Sequence, residues 1–124
     1  MKKCLLALTV ITLVGCSSGI SELAKEGRWQ ELGFRDGSKG LNQRTPNRLS
    51  ELGENSTQSV DYSSYEEGYL TGISEYCNPN HAYQIGLSGQ SYNGVCDSEE
   101  DSQRFRMEWQ RGWGDYNVGD NDHY

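Results

Sequence analysis

The stretch Tyr65-Glu66-Glu67-Gly68-Tyr69-Leu70-Thr71-Gly72-Ile73-Ser74-Glu75-Tyr76 decides the fold. Positions 65, 68, 69, 72, 73 and 76 are spaced by three and four, which places them on one face of an α-helix. A glycine inside a helix costs roughly 1 kcal/mol relative to alanine, so two glycines on that face require a compensating gain. Close approach of a second helix supplies it, because a face without Cβ atoms admits a neighbouring backbone or a flat aromatic ring. Small-x3-small faces work this way in membrane helices. Here the intervening residues are too polar for lipid, so the neighbour is expected to be a helix or an aromatic of the same domain.

Three further segments carry the same signature. Upstream lies Trp29-x3-Gly33-x2-Asp36-Gly37-x2-Gly40. Downstream lie Tyr83-x2-Gly86-Leu87-x-Gly89-x2-Tyr92 and Phe105-x3-Trp109-x2-Gly112-Trp113-x2-Tyr116. Together the four segments predict an all-α fold: a small bundle of three or four short helices packed through glycine and aromatic faces. Core packing is the expected role of these aromatics, since tyrosine and tryptophan bury much area with few torsions; a ligand- or sugar-binding platform is the functional alternative.

Local signals set the expected boundaries. Ser63 with Glu66 fits a capping box before the Tyr65 helix, with Asp61 and Ser64 nearby. Pro79 suits the first turn of a third helix. Asp97 or Ser98 is expected to cap the fourth, with Glu99, Glu100 and Asp101 in its first turn. Residues 41–60 are polar, contain Pro46 and read as a loop, with one helical turn at Leu49 and Leu52. Residues 119–124 read as a frayed tail.

The first sixteen residues are of another kind. Lys2 and Lys3 precede a run from Cys4 to Gly15 that is apolar apart from Thr9 and Thr12. Twelve residues fall short of the roughly 20 that span a bilayer, and a positive start with a short apolar centre is a secretory pattern. Leu13-Val14-Gly15-Cys16 resembles the lipobox of bacterial lipoproteins. That resemblance implies cleavage before Cys16, a diacylglyceryl thioether on its sulfur and an acyl chain on its new amino group. Two or three acyl chains anchor durably where one does not. Ser17, standing where an aspartate would favour inner-membrane retention, implies the outer membrane facing the periplasm. A plain signal peptide with an incidental cysteine is the competing reading. The expected organisation is a signal over residues 1–15, a lipidated tether over 16–21, a helical domain over 22–118 and a tail over 119–124.

The chain has 124 residues, 34% of them apolar, with eight tyrosines, three tryptophans and 15 glycines. Its net charge is −7; loss of Lys2 and Lys3 leaves 9 basic against 18 acidic residues, a charge of −9. Such a chain is poorly suited to bind nucleic acid or anionic lipid by charge. Of four cysteines, Cys4 leaves with the signal and Cys16 is taken by lipid. Cys77 and Cys96 remain, and in an oxidising compartment they read as a disulfide; a two-cysteine redox or metal site is the alternative.

The segment from Tyr76 to Cys96 resembles a family of uncharacterised proteobacterial lipoproteins, a named domain of unknown function. Its Trp…Gly-x2-Asp-Gly-x2-Gly motif is matched by Trp29, Gly33, Asp36, Gly37 and Gly40. Tyr65, Gly68, Gly72, Ile73, Tyr76 and Cys77 match a second motif, and Tyr92 to Cys96 a third. The likeness covers roughly residues 26 to 116. It departs at His81, where a glycine is expected, which favours a helix start at Pro79. The family implies no activity.

Candidate chemistry is sparse. His81 has no nucleophile or orienting carboxylate marked by spacing and reads as a helix-start histidine. Asp36, between glycines, is expected to bond a neighbouring helix or to line a site with Arg35. Tyr83 and Tyr92 are candidates for either packing or binding. Asp115-x-Asn117-x-Gly119-Asp120-x-Asp122 has neither the glycine position nor the closing glutamate of an EF-hand loop and reads as an acidic tail. No cofactor or metal motif is present. The expected function is a non-enzymatic envelope module, anchored through Cys16, that either binds an envelope protein or peptidoglycan or has a structural role. The rival is an enzyme acting on envelope glycans through carboxylates such as Asp36, Glu66 or Glu67, which would need two carboxyls facing across a cleft.

Overall fold

A computed structural model describes residues 19–54, 56 and 58–121. It holds six helices: α1 (Gly19–Lys25), α2 (Trp29–Ser38), α3 (Pro46–Leu52), α4 (Tyr62–Tyr76), α5 (Pro79–Leu87) and α6 (Ser102–Asn121). The four glycine-aromatic segments supply α2, α4, α5 and α6, and the fold is all-α as expected, but Gly40, Gly89 and Tyr92 lie past the ends of their helices. Two short helices raise the count above the three or four anticipated. α1 begins inside the stretch read as a tether and buries Ala24. α3 lies in the stretch read as a loop, where Thr45 accepts a hydrogen bond from the Arg48 N–H, Pro46 takes the first turn, and Leu49 is buried.

Several boundaries differ from expectation for local reasons. Asp61 caps α4, accepting hydrogen bonds from the Ser64 N–H at 3.1 Å and hydroxyl at 2.8 Å, so Ser63 lies inside the helix. Asn78 caps α5 and Pro79 occupies its first turn, as expected. α6 begins at Ser102, after turns in which the Glu99 N–H reaches the Cys96 carbonyl and the Ser102 N–H the Glu99 carbonyl. Asp97 is therefore outside the helix, and its carboxylate accepts from Tyr92 and Arg106 instead. α6 continues to Asn121 through much of the expected tail.

The helices pack as two pairs, α2 with α4 and α5 with α6. In the first pair the backbones touch. A Cβ on Gly33 would lie 1.9 Å from the Tyr65 carbonyl oxygen, and one on Gly68 would lie 1.9 Å from that of Gln30. One turn on, a Cβ on Gly37 would meet the Tyr69 oxygen at 2.2 Å and one on Gly72 the Phe34 oxygen at 2.5 Å. Contacts advance together along both helices, so α2 and α4 run parallel. Parallel helices need a long connection, which residues 39–61 provide. Close Cα–H···O=C contacts of this kind contribute about 0.5–1 kcal/mol each and offset the glycine propensity cost.

The second pair repeats the plan. Gly86 stands where Gly37 does: its Cβ would meet the Trp109 oxygen at 2.1 Å. Gly112 stands where Gly72 does, facing the Tyr83 oxygen at 2.0 Å. Gly40 and Gly89 end the first helix of each pair in left-handed backbone, φ 67° and 78°. Each lies beneath the aromatic ring that follows the partner glycine, Tyr76 over Gly40 and Tyr116 over Gly89. Even the hydrogen bonds correspond: the Tyr69 hydroxyl donates to the Leu41 carbonyl at 2.7 Å, and the Trp109 indole N–H to the Gln90 carbonyl at 3.0 Å. The four similar segments are thus one parallel helix pair built twice.

Aromatic contacts join the pairs. Tyr76 of α4 meets Phe105 of α6 with ring centroids 5.5 Å apart, and Tyr92 meets Phe105 at 5.4 Å. Gln90 and Asn93 donate to the Lys39 and Gly40 carbonyls. Cys77, just past α4, is bonded to Cys96 in the connection between α5 and α6. Closing a loop across a sequence separation of 19 contributes about 3 kcal/mol in the chain-entropy model.

Candidate functional site

Asp36 is the one buried charged residue described, 1% exposed. Helix α2 places it facing inward beside Gly37. Its Oδ2 accepts from Arg44 Nε at 2.7 Å and from the Tyr65 hydroxyl at 2.8 Å, and its Oδ1 from Arg44 Nη2 at 3.3 Å. The Tyr65 oxygen in turn accepts the Arg44 backbone N–H at 3.0 Å. The hydrogen bonds from Arg44 to Asp36 raise the guanidinium's pKa, and burial pushes the Tyr65 phenol well above its usual range. This knot fastens the first connection to both helices. Asp36 therefore bonds the neighbouring helix, one of the roles expected for it, and does not share a site with Arg35. Arg44, in a stretch without periodicity, gave no sign of this role.

The other candidate residues are dispersed. Cys16 lies outside the described residues. His81 is exposed in the first turn of α5, on a cleft of about 380 Å³ shared with Lys39, Glu75 and Gln90. Tyr83 is half-buried beneath the Arg111 guanidinium, 4.1 Å from the ring centroid, and its hydroxyl donates to Asp115 at 2.9 Å. The Tyr92 hydroxyl donates to Asp97 at 2.8 Å and accepts the Cys96 N–H at 3.1 Å, which braces the disulfide turn. Glu66 and Glu67 are exposed on α4 while Asp36 is sealed in the core, so the carboxylates named for glycan hydrolysis do not face one another across a cleft. Asp115 and Asn117 lie within a helix, not in a calcium loop. Among the described residues no group of three or more metal-ligating side chains occurs, and no helix is long and apolar enough to cross a membrane.

A groove of about 450 Å³ lies between α1, α2 and α4. Leu23 forms one wall, and Phe34 (38% exposed) and Arg35 of α2 another. Gly68 and Thr71 of α4 form its floor and far side. Gly68 lets the α2 and α4 backbones meet beneath the groove, and the short Thr71 side chain leaves the face of Phe34 uncovered. Only comparison of Gly68 and Thr71 with Glu108 and Arg111, their counterparts in the second pair, would have revealed it in the sequence.

Titration behaviour follows the packing. Burial raises the pKa of Tyr65, Tyr69 and Tyr76. Below about pH 10 these phenols are protonated in both folded and unfolded chains, and their contribution is fully present. Above it the unfolded chain releases protons that the folded chain retains, so stability falls. Asp61 and Asp97 have lowered pKa values, through hydrogen bonds from the Ser64 N–H and the Tyr92 hydroxyl respectively. Their contribution is present above about pH 4 and is lost as pH falls through the lowered folded values. A urea midpoint measured against pH is therefore expected to be flat from about pH 5 to 9 and to decline on both sides; a midpoint that rose above pH 10 would contradict the tyrosine assignments.

A small helical domain with a buried ionic knot, a disulfide and an open apolar groove is the class that fold and site define. The chain belongs to the family described as Protein of unknown function (DUF2799), whose pattern matches residues 28–114. It is also similar to Uncharacterized protein YfiL of Escherichia coli (strain K12), with 26% identity over 84 residues. That match covers 68% of this chain and 64% of the relative, so the chain spans somewhat under two thirds of that relative's length. No solved structure matches the chain.

Proposed function

We propose that the protein is a lipid-anchored binding module of the bacterial envelope, held at the periplasmic face of the outer membrane through Cys16, that docks a protein partner without catalysing a reaction. The groove between α1, α2 and α4 carries the binding half of this reading: it is open, largely apolar and lies beside the first described helix. The state of Asp36 agrees with it, since all three hydrogen bonds to that carboxylate come from structural partners. The lipobox-like Leu13-Val14-Gly15-Cys16 and the Ser17 that follows support the location. Labelled palmitate is expected to enter the wild-type chain, which fractionates with outer membranes. The Cys16→Ser chain is expected to take up no label and to leave that fraction on a carbonate wash. A Cys16→Ser chain still retained in washed outer membranes would refute the anchor.

A further inference from the structure

The duplicated architecture shows what fills the groove in one half of the molecule and not in the other. In the second pair the position equivalent to Phe34 is Tyr83, because Gly72 faces the Phe34 carbonyl as Gly112 faces that of Tyr83. Thr71, immediately before Gly72, and Gly68, one turn before it, correspond to Arg111 and Glu108 before Gly112. There the surface is closed from within: Arg111 lies over the Tyr83 ring at 4.1 Å and pairs with Glu108 at 2.7 Å. In the first pair the ring is present as Phe34, but threonine replaces the arginine and glycine replaces its carboxylate partner. The same face is consequently open.

We propose that the groove over Phe34 receives an arginine side chain from a partner protein, in the position that Arg111 occupies in the second half. This rests on the binding-module reading and names the chemistry of the partner. A guanidinium stacks on an aromatic face while its stem covers apolar surface, which suits a groove walled by Leu23 and Phe34. Charge complementarity favours a basic occupant: the chain carries −7 overall, and α4 carries Glu66, Glu67 and Glu75 with no basic residue. Glu67, exposed and one turn before Thr71 on the same face, takes no ion pair among the described residues and offers the carboxylate that Glu108 supplies elsewhere. Arg35 lines the groove too, but its guanidinium lies against Gly19, and Glu31 is held by Arg28.

The test is an NMR titration of the full disulfide-bonded chain with the blocked tripeptide Ala-Arg-Ala, with Ala-norleucine-Ala as the uncharged control. Saturable shifts at the Phe34 ring and the Gly68 and Thr71 amides are expected, with affinity for the arginine peptide at least about fivefold higher. Thr71→Arg places the missing side chain on an exposed helix position and is expected to abolish the shifts; Phe34→Ala, also at an exposed position, is expected to weaken binding at least about fivefold. Equal affinity for the two peptides, no shift at Phe34, or unchanged binding by Thr71→Arg would overturn the proposal. If the peptide fails while a photo-cross-linker elsewhere on the surface captures one specific envelope protein from cells, the groove assignment falls and the binding-module reading stands.

Discussion

Gly68→Ala is expected to destabilise the domain by at least about 3 kcal/mol, a larger loss than most single substitutions cause. The reason is geometric. The added methyl would stand 1.9 Å from the Gln30 carbonyl oxygen and 3.0 Å from the Phe34 nitrogen. Both are main-chain atoms, so no side-chain rotation relieves the clash, and α2 and α4 must separate along their whole contact. A domain of this size has roughly 5–15 kcal/mol of stability in all, and the melting temperature should fall by more than about 12 °C. Gly114→Ala is the control, because a Cβ there meets nothing within 4 Å. It lies on the same kind of helix and should stabilise by up to about 1 kcal/mol through propensity alone. Thermal melts followed by circular dichroism decide the matter: similar changes for the two variants would mean that the glycines are composition and not contact.

Arg44→Ala is expected to cost about 3–5 kcal/mol, because it leaves the Asp36 carboxylate buried without its cation. Arg44 is itself partly exposed, with a side chain at 26% against 1% for Asp36, so the loss arises chiefly from the stranded acid. Adding Asp36→Asn removes that charge while keeping an acceptor for the Tyr65 hydroxyl. The double variant is therefore expected to recover at least about 1 kcal/mol relative to Arg44→Ala, a coupling of the size seen between residues in one network. Urea denaturation of the wild type, both single variants and the double variant measures it. Additive losses would show that the two side chains do not share a buried bond.

Much of the fold was legible in the sequence, for a physical reason. Glycines and aromatics recurring at spacings of three and four mark helix faces, and each of the four segments contains a helix, although Gly40, Gly89 and Tyr92 lie past the helix ends. The disulfide was legible through cysteine arithmetic. Of the two short helices, α1 was not, and α3 showed only as a turn at Leu49 and Leu52, since seven residues carry too little periodicity to stand out. The start of α6 was misplaced because Asp97 and Ser98 have the chemistry of a cap, yet the turns after Cys96 commit Asp97 to Tyr92 and Arg106. The inward aim of Asp36 could be guessed from its glycine neighbours, whereas Arg44, its partner, lay in polar sequence without pattern. The groove depends on what is missing at positions 68 and 71, and an absence becomes readable only when the two helix pairs are superposed.

Two parallel helix pairs are held by backbone contact at equivalent glycines. Proton–proton Overhauser contacts between glycine Hα atoms and amide protons across each pair test it most directly. Where a Cβ would stand, the distances to the facing nitrogens are 2.8 Å from Gly37 to Ile73, 2.6 Å from Gly72 to Ser38, 2.7 Å from Gly86 to Trp113 and 2.8 Å from Gly112 to Leu87. The predicted result is a strong cross-peak for all four in the oxidised protein. Absence of the Gly37 and Gly72 peaks, or of the Gly86 and Gly112 peaks, would contradict the shared plan and with it the correspondence between Arg111 and the groove over Phe34.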